Sequence, residues 1–134
     1  MKKSKIIIVD DDPDDREILR DAFFEANNAV DYVLLENGGQ LLQYLTLQKD
    51  NPAPDLIMLD LNMPGKDGRE TLKEIKANKL FQSLPVIVFT TSSSYRDKQM
   101  VYDAGANCYI TKPATFNKLV ELTTAILKLW VEEI

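Results

Sequence analysis

Three unbroken apolar runs constrain the fold of this chain more than any other feature: Ile6-Ile7-Ile8-Val9, Leu56-Ile57-Met58-Leu59 and Val86-Ile87-Val88-Phe89. A strand with one face in water alternates apolar and polar residues, whereas a continuous apolar run predicts a strand that is covered on both faces, as in parallel sheets. Two weaker candidates at 32–35 and 108–110 bring the expected number of strands to five.

Helical patterns lie between the strand candidates. The first repeats apolar residues from Ile18 to Ala26, with Asp12 as the expected cap and Pro13 in the first turn. The other four are marked by apolar residues at helical spacing: Leu41, Leu42 and Leu45; Leu72, Ile75 and Leu80; Met100, Val101 and Ala104; and Leu119, Leu122, Ile126 and Trp130. For the fourth helix, Ser94 is the expected start and Gly105 the expected end. This alternation predicts one three-layer α/β domain over residues 1–134, with right-handed crossovers.

Composition excludes several classes of function. The formal net charge is −5, which argues against a broad cationic surface for nucleic acid. The chain has no histidine, so Ser-His triads, imidazole acid–base catalysis and His-ligated zinc are excluded. The single cysteine, Cys108, cannot form an internal disulfide; we expect a buried, inert thiol and a cytoplasmic protein. The apolar run at 6–9 is far too short for a signal peptide or a membrane span.

Polar side chains follow the strand candidates at the ends where sites form in parallel sheets. These residues are Asp10 and Asp11 after the first strand, Asp60 after the third, Thr90 at the end of the fourth and Lys112 after the fifth. Two carboxylates about 4 Å apart repel by roughly 4 kcal/mol at an effective dielectric constant of about 20, so the cluster requires a cation or shifted pKa values. A small set of oxygen ligands suits Mg²⁺.

A carboxylate at such a place can also act as a covalent nucleophile toward phosphorus and form an aspartyl phosphate. The obstacle is repulsion between the carboxylate and the incoming phosphoryl group. A metal ion, the Lys112 ammonium and the Thr90 hydroxyl would offset that repulsion.

The chain resembles the receiver domains of two-component response regulators over essentially its whole length. The matching stretches are 6–11, 60–64 with Asp67 and Gly68, 84–90 and 104–113. Segments 55–68 and 107–112 are further similar to single-domain regulators partnered with bacterial phytochrome histidine kinases. The resemblance implies a flavodoxin-like (βα)5 fold with strand order 2-1-3-4-5 and no output domain after the receiver.

The resemblance also implies a role for each site residue. Asp60 would accept a phosphoryl group from the phosphohistidine of a kinase or phosphotransfer partner, since the chain has no histidine of its own. Mg²⁺ would be bound by the side chains of Asp11 and Asp60, by the backbone carbonyl of Asn62, and by Asp10 mostly through water. The domain would catalyse its own phosphorylation and dephosphorylation, as a signalling protein rather than a metabolic enzyme.

The same resemblance implies a switch. Thr90 would move toward the phosphoryl group, and Lys112 would form an ion pair with that group. Tyr109 would swing inward when Thr90 moves. Together these movements would change the surface that binds an unknown downstream protein. The Lys112–Pro113 peptide bond would be cis. Ala114 stands where many relatives carry Phe, and Ser92 and Asn62 occupy positions that tune the phosphoryl lifetime in the family.

Plainer interpretations of these residues remain open. The acidic stretch 10–12 could be only a turn and helix cap, Thr90 part of a hydroxyl-rich loop, Lys112 a solvated lysine and Tyr109 a packing residue. Two other functions are possible: a Mg²⁺-dependent phosphohydrolase with an aspartyl nucleophile, and a degenerate receiver that only binds. The first usually has a second acid where this chain has Asn62, and the second would be expected to lack Asp60, Lys112 or the acid pair.

The last helix carries a second apolar row at helical spacing, formed by Val120, Leu127, Val131 and Ile134 and widened by Leu129. Such a surplus row predicts a partner or homodimer surface near the C-terminal helix. The alternative is a helix end that packs over its own domain.

Overall fold

The computed structural model describes residues 3–63, 65 and 67–131. In this part of the chain strands and helices alternate along the sequence. The strands are β1 (Lys5–Val9), β2 (Asp31–Leu35), β3 (Leu56–Leu59), β4 (Val86–Thr90) and β5 (Cys108–Thr111), and the helices are α1 (Pro13–Ala26), α2 (Gly38–Leu47), α3 (Gly68–Ala77), α4 (Tyr95–Asp103) and α5 (Phe116–Trp130).

The five strands form one parallel sheet in the order β2-β1-β3-β4-β5. The predicted fold class and strand order are therefore confirmed. Val9 at the end of β1 lies opposite Leu59 at the end of β3, and the Asp60 amide donates to the Val9 carbonyl at 3.0 Å. This register brings the residues that follow β1 and β3 to one point at the carboxyl edge of the sheet.

The sheet is covered on both faces, which explains the unbroken apolar runs. One core layer joins Ile7, Ile57 and Val88 of the strands to residues of α2, α3 and α4. The other joins alternate strand residues, among them Ile8 and Met58, to residues of α1 and α5. Every residue of β1 from Ile6 to Val9 is consequently buried.

The helix signals are confirmed at both predicted starts. Asp12 caps α1, with Pro13 in its first turn, and Ser94 caps α4 by accepting a hydrogen bond from the Asp97 amide at 3.3 Å. The prediction that Leu80 belongs to the third helix is wrong: α3 ends at Ala77, and Leu80 lies in the following turn and is 67% exposed.

Two further expectations about apolar burial are corrected. Ile18 belongs to the predicted apolar stripe of α1 but is exposed, because Leu19, Ala22 and Phe23 form the buried face of this helix and Ile18 lines an open cavity beside Phe89. Cys108 lies at the start of β5 as a free, only partly buried thiol. Within the described residues, no helix combines the length and the apolar character needed to cross a bilayer.

The second apolar row of α5 packs mainly on its own domain. Leu127 is fully buried, and Val120 and Val131 pack against the core layer formed with α1. Leu129 remains exposed, and Ile134 lies outside the described residues. The row therefore offers less free surface than the helical pattern predicted, because α5 is flanked by both the sheet and α1.

Candidate metal and phosphoacceptor site

Three carboxylates meet at the carboxyl edge of the sheet. Asp10, Asp11 and Asp60 each place an oxygen within 4.8 Å of the others. Asp10 and Asp60 are buried at the ends of neighbouring strands, whereas Asp11 is exposed. The first turn after β1 fixes Asp10, whose Oδ1 accepts a hydrogen bond from the Asp12 amide at 3.0 Å. The predicted cluster is therefore present, and its charge and oxygen donors fit a hard divalent cation.

Lys112 faces this cluster from the end of β5. Its Nζ lies 2.8 Å from Asp10 Oδ2, 3.1 Å from Asp15 Oδ2 and 3.7 Å from Asp60 Oδ2. Burial by itself lowers the pKa of the Lys112 ammonium, but the hydrogen bond and charge of Asp10, followed by Asp60 and Asp15, raise the pKa above its usual value. Lys112 is therefore a fixed positive charge beside Asp60.

Asp15 was not predicted as part of the site. It lies in the first turn of α1, where acidic residues are common because they interact favourably with the helix N-terminus. The structure shows that its carboxylate reaches Lys112 at 3.1 Å. The acidic stretch carried a weak signal, since Asp15 lies in the first turn of the helix that follows Asp10 and Asp11.

The predicted cis peptide bond between Lys112 and Pro113 is wrong, because no peptide bond of the described residues is cis. A trans bond before proline is favoured by about 0.5–1 kcal/mol. The contact between Lys112 and Asp10 at 2.8 Å is made with the trans form.

The local environment makes Asp60 harder to ionise. Burial is the largest effect, and it raises the pKa of the Asp60 carboxyl group. The charge of Lys112 lowers this pKa, whereas the charge of Asp10 raises it. Hydrogen bonds from the backbone amide of Asn62 and from the Thr90 hydroxyl also lower it. The net pKa lies above the usual value. An acid with a raised folded-state pKa destabilises the fold as pH rises through the interval between its unfolded and folded values.

We therefore expect Asp60→Asn to stabilise the metal-free protein at pH 7 by on the order of 1 kcal/mol, because it removes a buried like charge. The measurement is the free energy of unfolding in urea with a chelator present. The gain should disappear below the unfolded-state pKa of aspartate, about 3.9. A loss of stability at neutral pH would contradict this electrostatic description.

Thr90, at the end of β4, lies fully buried beside Asp60. Its Oγ1 accepts hydrogen bonds from the Ser92 amide at 3.4 Å and from Asn62 Nδ2 at 3.5 Å. Tyr109 is also buried, and its hydroxyl donates to the Ser92 carbonyl at 2.7 Å. The two predicted switch residues, Thr90 and Tyr109, are therefore both hydrogen-bonded to Ser92, and the Tyr109 side chain is in the inward position.

Gly68 begins α3 in close contact with the segment that carries Asp60. A Cβ atom at this position would lie 2.2 Å from the Asp60 carbonyl oxygen and 2.7 Å from the Leu61 Cα. The Gly68 amide donates to the Leu61 carbonyl at 3.0 Å, and Asp67 caps the helix. The sequence contained this glycine in a matching stretch, but only the structure gives its reason.

The fold and the acidic site together define a class of protein. Residues 6–124 match the family model described as the response regulator receiver domain. This chain therefore belongs to the receiver-domain family of two-component response regulators.

Individual relatives extend that assignment. The response regulator Rcp1 of Synechocystis sp. is 33% identical over 132 residues, which cover 96% of this chain and 90% of Rcp1. The phosphorylated cyanobacterial phytochrome response regulator RcpA matches with a TM-score of 0.88 and 35% identity, over 98% of this chain and 96% of RcpA. The Mn²⁺-bound form of Rcp1 matches with a TM-score of 0.85 and 33% identity, over 98% and 96% of the two chains. The predicted similarity to single-domain phytochrome regulators is confirmed.

Proposed function

We propose that this protein accepts a phosphoryl group from the phosphohistidine of a sensor histidine kinase or phosphotransfer protein onto Asp60. An Asp60 oxygen attacks phosphorus, the phosphorus–nitrogen bond breaks, and its electron pair returns to the imidazole of the donor. The observation that carries the proposal is the position of Asp60, which lies within 4.8 Å of two further carboxylates and 3.7 Å from the Lys112 ammonium.

Mg²⁺ is the proposed cofactor. The side chains of Asp11 and Asp60 and the backbone carbonyl of Asn62 would hold it, with Asp10 contributing mostly through water. When bound, the ion would neutralise charge on the phosphoryl oxygens. Lys112, whose Nζ lies 3.7 Å from Asp60 Oδ2, would balance the remaining charge, while the Thr90 hydroxyl would donate a hydrogen bond to a phosphoryl oxygen.

The consequence of phosphorylation would be a changed protein-interaction surface. New contacts of Thr90 and Lys112 to the phosphoryl group exist only in the modified state, and they can therefore shift a two-state equilibrium. Thr90 and Tyr109 are joined by Ser92, which gives this shift a path toward α4 and β5.

The similarity to RcpA, which is described as a phytochrome response regulator, supports a phytochrome-type histidine kinase as the phosphodonor. Three expectations stay predictions: a downstream partner protein, a homodimer formed near the C-terminal helix, and the absence of an output domain from residues 1–134. The phosphohydrolase alternative gains no support from the structure, because Asn62 directs its amide toward Thr90 at 3.5 Å and adds no second acid.

Incubation with Mg²⁺ and acetyl phosphate, followed by intact mass spectrometry, tests the proposed phosphorylation. We expect one phosphate adduct on the wild-type chain and none on Asp60→Asn. Asp55→Asn is the matched control, because Asp55 precedes the same strand at the opposite edge of the sheet, where its carboxylate accepts a hydrogen bond from the Lys5 amide at 2.9 Å. An unmodified wild-type chain, or an adduct that persists in Asp60→Asn, would contradict the proposal.

Metal binding gives a separate prediction. Mg²⁺ at about 100 times its dissociation constant should stabilise the wild-type protein by about 2.7 kcal/mol. Asp11→Asn should weaken this effect because it removes one carboxylate from the cluster, whereas Asp14→Asn on the first turn of α1 should leave it intact. Thermal unfolding across a Mg²⁺ series, repeated with Mn²⁺, measures both. Equal metal stabilisation in the two variants would remove Asp11 from the ligand set.

A further inference from the structure

Asp97 in the first turn of α4 is held from two sides. Arg69 of α3 donates to Asp97 Oδ1 from Nη2 at 2.7 Å and from Nε at 3.2 Å. The Ser92 hydroxyl donates to Asp97 Oδ2 at 2.8 Å. The Arg69 and Asp97 side chains are largely shielded, with exposed fractions of 24% and 17%, so their attraction is screened less than that of a surface pair. We name these three residues the Asp97 clamp.

The clamp fixes the loop residue on which the switch side chains depend. Ser92 donates its amide to Thr90 Oγ1 at 3.4 Å and accepts the Tyr109 hydroxyl on its carbonyl at 2.7 Å. Its side chain is committed to Asp97, and its Oγ also accepts from the Ser94 amide at 3.2 Å. A displacement of Ser92 would therefore disturb Thr90 and Tyr109 together.

The other end of the clamp is anchored to the Asp60 segment. Arg69 directly follows Gly68, whose backbone is bonded to the Leu61 carbonyl at 3.0 Å. Its Nη1 also lies 3.6 Å from Asp67 Oδ2, at the cap of α3. The clamp thus connects the chain just after the phosphoacceptor with the loop just after Thr90, across 28 residues of sequence.

The Asp97 carboxylate is suited to this role because it stays ionised. The hydrogen bond from Arg69, followed by that from Ser92, lowers its pKa below the usual value. A charge-assisted hydrogen bond is shorter and stronger than a neutral one, and the two guanidinium donors restrict the direction of the carboxylate.

We propose that Arg69 and Asp97 are positioning residues that act through Ser92, holding the loop after Thr90 where Tyr109 is buried and thereby promoting phosphorylation of Asp60. The rate effect rests on the proposed function, whereas the position of Tyr109 does not. The side-chain hydrogen bonds and ion pairs of Arg69 and Asp97 are made with Ser92, Asp67 and each other, so their effect on the chemistry at Asp60 is indirect.

The experiment compares wild type, Arg69→Ala, Ser92→Ala and the double variant, with the full chain labelled with fluorotyrosine. Fluorine NMR of the unphosphorylated protein reports the environment of Tyr109, and acetyl phosphate with Mg²⁺ reports the rate at Asp60. We expect Arg69→Ala to reduce both the inward population of Tyr109 and the rate by a factor of about three to ten. Arg20→Ala is the matched control, because Arg20 pairs with Asp21 at 3.1 Å on the exposed face of α1.

The double variant separates positioning from general stability. If Arg69 acts through Ser92, then Arg69→Ala should have little further effect in the Ser92→Ala background. A full, additive effect there, or a lower urea midpoint with an unchanged Tyr109 resonance, would overturn the proposal. If the wild-type chain accepts no phosphate, the proposed function fails, but the fluorine spectra of the unphosphorylated variants still support or refute the clamp.

Discussion

Lys112→Met should slow phosphorylation of Asp60 by about 10²–10³-fold, the range found when a preorganised donor to a developing charge is removed. Methionine preserves much of the length of the side chain but leaves Asp60 without its cation, which lies at 3.7 Å in the wild-type structure. The rate with acetyl phosphate at saturating Mg²⁺ is the direct measurement. Lys118→Met on the exposed first turn of α5 controls for the loss of one lysine.

The same variant should lose about 3–5 kcal/mol of unfolding free energy in metal-free buffer, because removal of one partner leaves buried carboxylates uncompensated. Asp10, bonded to Lys112 at 2.8 Å, is the most affected. In an Asp60→Asn background the loss should be smaller, since one of the like charges is already absent. An unchanged urea midpoint together with a wild-type rate would show that Lys112 does not have the assigned electrostatic role.

Gly68→Ala should also have a large effect, for a steric reason. Its Cβ would lie 2.2 Å from the Asp60 carbonyl oxygen, and this neighbour is backbone that cannot rotate away. Forcing an extra methyl group into such a contact costs about 1–3 kcal/mol of stability. Because relief requires a shift of Asp60 or of α3, we further expect phosphorylation to slow by about 10²-fold, the cost of a displacement of about 1 Å in a reacting group.

Gly39→Ala in α2 provides the comparison for Gly68→Ala. The nearest atom to a Cβ there is the side-chain Oδ1 of Asn37 at 3.3 Å, which caps α2 and would need to move by only a few tenths of an ångström. Alanine is also favoured over glycine inside a helix by about 1 kcal/mol. The control should stay within about 1 kcal/mol of wild type and retain its phosphorylation rate. Equal losses in the two variants would show that the contact with Asp60 is not the cause.

The three apolar runs were sufficient to predict the buried strands of the sheet, because a strand that is buried on both faces consists of consecutive apolar residues. The starts of α1 and α4 were also predictable, because the side chains of Asp12 and Ser94 accept hydrogen bonds from backbone amides no more than three residues away. Convergence of Asp10, Asp11 and Asp60 followed from the topology of parallel strands, whose carboxyl ends share one edge. These features depend on short sequence separations or on a general rule of the fold.

Other features depended on how separate elements pack, and only the tertiary structure decided them. Arg69 has several acidic residues within reach along the chain, and only the approach of α3 to α4 selects Asp97. Lys112 is likewise joined to Asp15 across 97 residues. The second row of α5 has the helical period of a partner surface, yet Leu127 is buried in the core layer that α5 forms with α1 and the sheet. Sequence patterns specify which faces are apolar and which ends are polar, but the choice among competing partners is made by distance in the folded molecule.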